Sequence, residues 1–172
     1  SIWVASDGRA GNLAQSRAVA GALSESHNWM RIAHIAGQGH RSDPVTLSPR
    51  ALWTWLPVNK WSAPLRALPA NERALFEGGT WPTIWIGAGR RTAPYGKLIK
   101  QLSGGKTYCA HILHPRCDMP EFDLIVTPEH DKIEGVNVFP TLGSPVHVAQ
   151  DQIEEEGQRF ADLADSREKS AI

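Results

Sequence analysis

Five stretches of this 172-residue chain carry side chains suited to holding an anion or moving a proton. They are Asp7-Gly8-Arg9-Ala10-Gly11-Asn12, Gly87-Ala88-Gly89-Arg90-Arg91-Thr92, His114-Pro115-Arg116, Pro128-Glu129-His130-Asp131 and Thr141-Leu142-Gly143-Ser144. Glycine lets a backbone come close to a ligand, and a helix N-terminus adds amide donors and the positive end of a dipole. Arginine supplies a planar fork that fits phosphate or carboxylate. The candidate anion-binding set is therefore Gly8, Arg9, Gly11, Asn12, Gly87, Gly89, Arg90, Arg91, His114, Arg116, Thr141 and Gly143. Any one of these loops could equally be a tight turn with a solvated arginine; it is the recurrence that points to a shared cleft. For general acid–base work the candidates are Asp7, Glu129 and His130, with Asp131 beside the histidine. Exposed His-Asp neighbours are common, so the choice among them stays open.

Sharper motifs fail on their spacing. Gly87-Ala88-Gly89 begins a dinucleotide fingerprint, but Thr92 stands where its third glycine belongs. Ser103-Gly104-Gly105-Lys106-Thr107 imitates the end of a phosphate-binding P-loop. Lys100 occupies its first glycine position, however, and the segment leads from helix to strand, so it reads as a helix C-cap. Cys109, His111, His114 and Cys117 could ligate zinc, yet a strand and the loop beyond it converge poorly on one tetrahedral point, and no metal is expected. No Gly-x-Ser-x-Gly nucleophile elbow occurs.

What must position the loops is an alternation of strands and helices. Ile2 to Ser6 reads as a buried strand, followed by a helix from Leu13 to about Ser24 with Asn12 as N-cap and Gln15 as its capping-box partner. A strand over Met30 to Ala36 would complete a βαβ unit, which demands a parallel pair. Residues 37–82, with their prolines, read as a helical insertion with helices near Arg50 to Leu56 and Ala70 to Phe76. Beyond it come a strand over Thr83 to Ile86, a helix over Pro94 to Leu102, and strands over Thr107 to Ile112, Asp123 to Thr127 and Asn137 to Phe139. An amphipathic helix over Asp151 to Leu163 precedes a charged tail that ends without a closing signal, as in a chain that continues. In an open parallel sheet, ligands bind outside the carboxyl ends of the strands, where these loops lie.

Composition narrows the class. Hydrophobic residues make up 41% of the chain and charged residues 21%, enough for a real core. Lys+Arg and Asp+Glu both number 18, so no overall field recruits nucleic acid or an anionic surface, and any electrostatic function is local. Two cysteines are too few for a disulfide framework and suit a reducing, cytoplasmic setting. The apolar runs are far shorter than the roughly 20 residues a membrane span needs, and the opening Ile2-Trp3-Val4-Ala5 anticipates no secretory signal. Trp53, Trp55 and Trp61, with Leu52, Leu56 and Leu65 nearby, read first as core cover over the sheet. The other reading is an interfacial patch making peripheral contact with the inner face of a membrane.

Four motifs in order carry a resemblance: Ser6 to Asn12 with Gln15, Trp85 to Pro94, His114-Pro115-Arg116, and Phe122 to Asp131. Together they resemble the bacterial branch of the mitochondrial-fission ELM-type family, also labelled nucleoside-diphosphate-sugar epimerase-like, over nearly the whole chain. That family is similar to GT-B glycosyltransferases, which pair two Rossmann-like domains around a cleft. The resemblance implies an α/β, Rossmann-like three-layer domain with a mostly parallel sheet over residues 1–146, matching the N-terminal half of a GT-B fold. Residues 147–172 would be a hinge helix and the start of a missing C-terminal domain. It further implies an acceptor-side domain acting with a nucleotide sugar and a lipid-linked acceptor, with Asp7 or Glu129 as the acceptor base ahead of His130, without a cofactor, and inactive alone. The alternative is a non-catalytic binding or scaffold protein. The epimerase label finds no support, since neither Tyr95 nor Tyr108 is followed four residues later by lysine.

Overall fold

A computed structural model of the chain describes residues 1–25 and 45–145. The strand expected over Met30 to Ala36, the helix over Asp151 to Leu163 and the boundary near Val146 lie outside the described residues. Within them, β1 (Ile2–Ser6) leads into α1 (Ala10–Glu25), then β2 (Val45–Thr46), α2 (Ala51–Thr54) and α3 (Ala70–Arg73). The regular alternation follows: β3 (Ile84–Ala88), α4 (Ala93–Leu102), β4 (Tyr108–Ile112), β5 (Leu124–Pro128) and β6 (Val138–Thr141).

The six strands form one sheet in the order β2-β1-β3-β4-β5-β6, and every pair is parallel. A central strand of such a sheet is covered on both faces and so needs an unbroken apolar run; β3, Ile84-Trp85-Ile86-Gly87-Ala88, is buried at all five positions. Its residues alternate between two cores. Ile84, Ile86 and Ala88 join Ile2, Val4, Ala110 and Ile112 beneath Val19, Ala20 and Leu23 of α1. Trp85 faces the other way, where Ala5, Cys109 and Ile125 meet Tyr95 and Ile99 of α4 and the insertion's Trp61 and Phe76. Helix, sheet and helix make three layers, a Rossmann-like α/β domain. Each fully buried large side chain in them contributes about 1.5–3 kcal/mol.

Three expectations are corrected. The helix after β1 opens at Ala10, with Leu13 N donating to Arg9 O at 3.0 Å, so Asn12 lies inside the first turn and is not its N-cap. The Asn12 side chain donates instead to Asp7, whose Oδ1 takes Asn12 Nδ2 at 3.0 Å and lies 3.4 Å from N of Arg9, the residue before the helix. Gln15 closes no capping box, and its Oε1 is buried without a partner among the described residues.

The described part of the 37–82 insertion is not wholly helical, because Val45 and Thr46 pair with Ala5 and Ser6 as a parallel edge strand. Buried Val45 and Leu47 anchor it, and Leu47 N continues the ladder to Ser6 O at 2.8 Å. The insertion's helices are single turns separated by Pro57, Pro64 and Pro69, with 3-10 turns at Val58–Lys60, Pro64–Ala67 and Ala74–Phe76.

The tryptophans do not share one role. Trp61 is buried and meets Trp53 and Tyr95 edge-on, at 5.7 and 6.2 Å between ring centroids. Trp55 is 87% exposed. The segment resembling a P-loop closes α4: Gly105 N bonds Lys100 O at 2.8 Å, and Gly104 and Gly105 both take positive φ.

Candidate functional site: an arginine cleft at the strand-order switch

From β1 the sheet grows one way to β2 and the other way to β3, which opens a crevice between the loops that follow β1 and β3. Both loops turn on a glycine in the left-handed region, Gly8 at φ 81° and Gly89 at φ 79°. Asn12 fastens them together. Its carboxamide bonds Asp7 and occupies the space where a side chain on Gly89 would have to go. Thr92 locks the second loop from below, its hydroxyl reaching Gly89 O at 2.9 Å and Ala88 O at 3.1 Å.

A third loop, after β4, holds two non-glycine residues at positive φ, Leu113 at 70° and Arg116 at 59°. Such backbone costs about 1–2 kcal/mol per residue and concentrates at sites where side-chain direction matters. His114 pins the turn, its Nδ1 accepting from Arg116 N at 3.1 Å. Burial, reinforced by the Arg116 charge, holds the His114 ring below its ordinary pKa and favours the neutral acceptor this bond requires.

The three loops bring Arg9, Arg90, Arg91 and Arg116 to one cavity of about 560 Å³, walled on its other side by Thr54, Trp55, Leu56, Pro57, Val58 and Trp61. Arg9 is paired with Asp7 at 3.8 Å. Arg90, Arg91 and Arg116 form no ion pair among the described residues, and Arg91 Nε is shielded from solvent without a partner. Uncompensated guanidinium groups facing one space favour an anion with several acceptor oxygens. A second cavity of about 330 Å³ shares Arg9, Arg90 and Arg116 and extends past Asn12, Gly89 and Leu113 to His114, Pro128, His130, Asp131 and Ser144.

The other residues singled out from sequence take different places. Gly8 lies at the turn with its N–H on Ser6 Oγ at 3.2 Å, and Gly89 N is taken by Ile112 O at 3.1 Å, so neither amide is free for a ligand. Gly87 is buried inside β3, where a Cβ would press on Thr92 Oγ1 and Trp85 Nε1. Gly11 is exposed in the first turn of α1, and Thr141 donates to Gly143 O at 2.6 Å beside β6. None of Gly11, Gly87, Thr141 or Gly143 lines either cavity.

Among the acid–base candidates, Asp7 has a carboxylate only 1% exposed and turned to Arg9 and Asn12, which suits positioning more than proton transfer. Glu129 is exposed outside both cavities, whereas His130 lines the second one. Its Nε2 lies 3.9 Å from Asp131 Oδ1, and Asp131 Oδ2 accepts from Thr127 at 2.8 Å. The cysteine and histidine groups stay apart: Cys109 Sγ is directed at Gly96 O at 3.3 Å, and burial pushes its thiol up to about 12. No group of three or more metal-ligating side chains forms among the described residues.

Sequence reasoning missed the apolar wall from Trp55 to Val58 as part of the cleft. Three tryptophans within nine residues signalled an aromatic cluster but not which rings faced out.

An all-parallel, three-layer domain with an arginine-lined cleft at its strand-order switch defines the class: a Rossmann-like α/β domain with a cationic cleft at the carboxyl edge of its sheet. The chain belongs to the mitochondrial fission ELM1 family, whose sequence model matches residues 10–172. It is similar to the mitochondrial fission protein ELM1 of Arabidopsis thaliana, with 36% identity over 50 residues. That segment covers 29% of this chain and 12% of the plant protein. No solved structure shows significant similarity to the chain. Among the described residues, no helix is long and apolar enough to cross a membrane.

Proposed function

We propose that this chain is the acceptor-side, N-terminal domain of a GT-B-like glycosyltransferase acting with a nucleotide sugar. One observation carries the reading: four arginines from three separate loops meet in one cleft at the switch point of a parallel sheet. A diphosphate leaving group develops charge as its bond to the sugar breaks, and fixed guanidinium groups in a partly enclosed cleft stabilise that charge without reorganising. His130 is the acceptor base, because it lines the cavity that continues from the arginines, and Asp7 holds Arg9 and Asn12 in place. The acceptor hydroxyl gives its proton to the base while its oxygen bonds to the anomeric carbon, and the diphosphate departs with the bonding pair. A second reading, a non-catalytic binding or scaffold protein, draws on the exposure of Leu52 and Trp55 and on the plant relative's name.

The test is a thermal-shift titration with pyrophosphate, nucleoside diphosphates and nucleotide sugars on the chain and on its Arg90→Ala/Arg91→Ala variant. A ligand at about a hundred times its dissociation constant adds roughly 2.7 kcal/mol to the folded state. The double variant should keep its unliganded midpoint and lose this stabilisation. Equal responses from both proteins would remove the proposal.

A further inference from the structure

The arginine cleft has a rim that an enclosed anion site does not need. Leu52, Trp55 and Leu56 are 77%, 87% and 47% exposed. They stand at i, i+3 and i+4 along α2 and the turn that extends it, so they share one face. Trp55 and Leu56 also line the cleft, opposite Arg9, Arg90, Arg91 and Arg116. Arg50 and Lys60, at either end of the segment, are exposed as well. Apolar side chains flanked by cations are the features of a surface that enters the headgroup region of a bilayer, where an indole ring suits the boundary and cations meet phosphate.

We propose that the chain docks on an anionic phospholipid bilayer by inserting Leu52, Trp55 and Leu56, with a lipid phosphate held against the cleft arginines. The rim is too small to hold a second copy of the chain. One tryptophan offers about 200 Å² and the two partly exposed leucines less, well short of the roughly 800 Å² per partner of a standard protein interface. Charge settles the kind of membrane, since Arg90, Arg91 and Arg116, which lack carboxylate partners among the described residues, gain little from a neutral surface. The inference shares the arginines with the proposed glycosyltransferase but stands on the apolar rim.

Flotation of the chain with phosphatidylcholine vesicles, made with and without phosphatidylglycerol, tests it. The expected result is binding to the anionic vesicles alone, weakening as salt rises. The Leu52→Ala/Trp55→Ala/Leu56→Ala variant should bind at least about tenfold more weakly with an unchanged circular dichroism spectrum. Brominated acyl chains should quench part of the wild-type tryptophan emission and spare it in Trp55→Phe. Absence of binding to anionic vesicles, or equal binding by the triple variant, would overturn the proposal. So would concentration-dependent dimerisation that the triple variant loses, since it would give the rim to a protein contact. Pyrophosphate binding by the wild-type chain without vesicles reads the proposed function separately.

Discussion

The carboxamide of Asn12 rests against the α-carbon of Gly89, in space that a Cβ at position 89 would need. Through this contact the first turn of α1 and the loop after β3 become one support, and Arg9 and Arg90 project from its two sides into the same cleft. Asp7 completes it by bonding Asn12 from beneath. The spacing of the guanidinium groups therefore depends on a glycine and an amide that need touch no ligand.

Gly89→Ala should accordingly destabilise the fold by about 2–3 kcal/mol, the left-handed backbone and the overlap with Asn12 both contributing. In an Asn12→Ala background the overlap is gone and the same substitution should cost only about 1 kcal/mol, the backbone part. Urea denaturation of the four proteins in this cycle measures the coupling. Additive effects would mean that the two loops are not joined at this point.

Arg116 separates stability from binding. Its φ of 59° suits glycine better than any side chain, so Arg116→Gly should be more stable than Arg116→Ala by roughly 1 kcal/mol. Both variants lose the guanidinium, and both should bind pyrophosphate at least several-fold more weakly than wild type. If Arg116→Gly were the less stable of the two, the loop would not be held in the conformation described.

Much of this architecture was legible because it follows from local rules. The apolar run through Ile84 to Ile86, the proline opening α4 and the glycine pair closing it identified a buried parallel strand and its helix. β2 was not legible, since two residues carry no periodicity and only the neighbouring β1 makes them a strand. Asn12 misled because asparagine is a favoured N-cap, while here it lies inside the first turn and its side chain donates to Asp7. The arginines of the cleft stood out by type and by recurrence after strands. The outward face of Trp55 did not, because a single helical turn among prolines has too few residues to show which side is apolar. Nor does any residue type announce the positive φ of Arg116; proline at 115 restrains only its own φ and the residue before it.

Acid stability should depend on His111. The ring is fully buried against Phe122, with 5.1 Å between ring centroids, and neither nitrogen has a partner among the described residues. Burial, helped by nearby His114, pulls its pKa down from 6.5 to about 3. Above pH 6.5 the ring is neutral in the folded and unfolded chains alike, and its titration contributes nothing to stability. As pH falls from 6.5 toward 3 only the unfolded chain takes up the proton, so stability declines by roughly 1.4 kcal/mol per pH unit, levelling off once the folded ring also protonates. His111→Leu removes the titration and replaces an unpaired polar ring with an apolar side chain, so it should cost little at neutral pH. Urea denaturation at a series of pH values should then show wild type losing about 2–3 kcal/mol relative to the variant by about pH 4.5. Parallel curves for the two proteins would mean that the folded chain accommodates the protonated His111 ring, so that its burial does not hold it neutral.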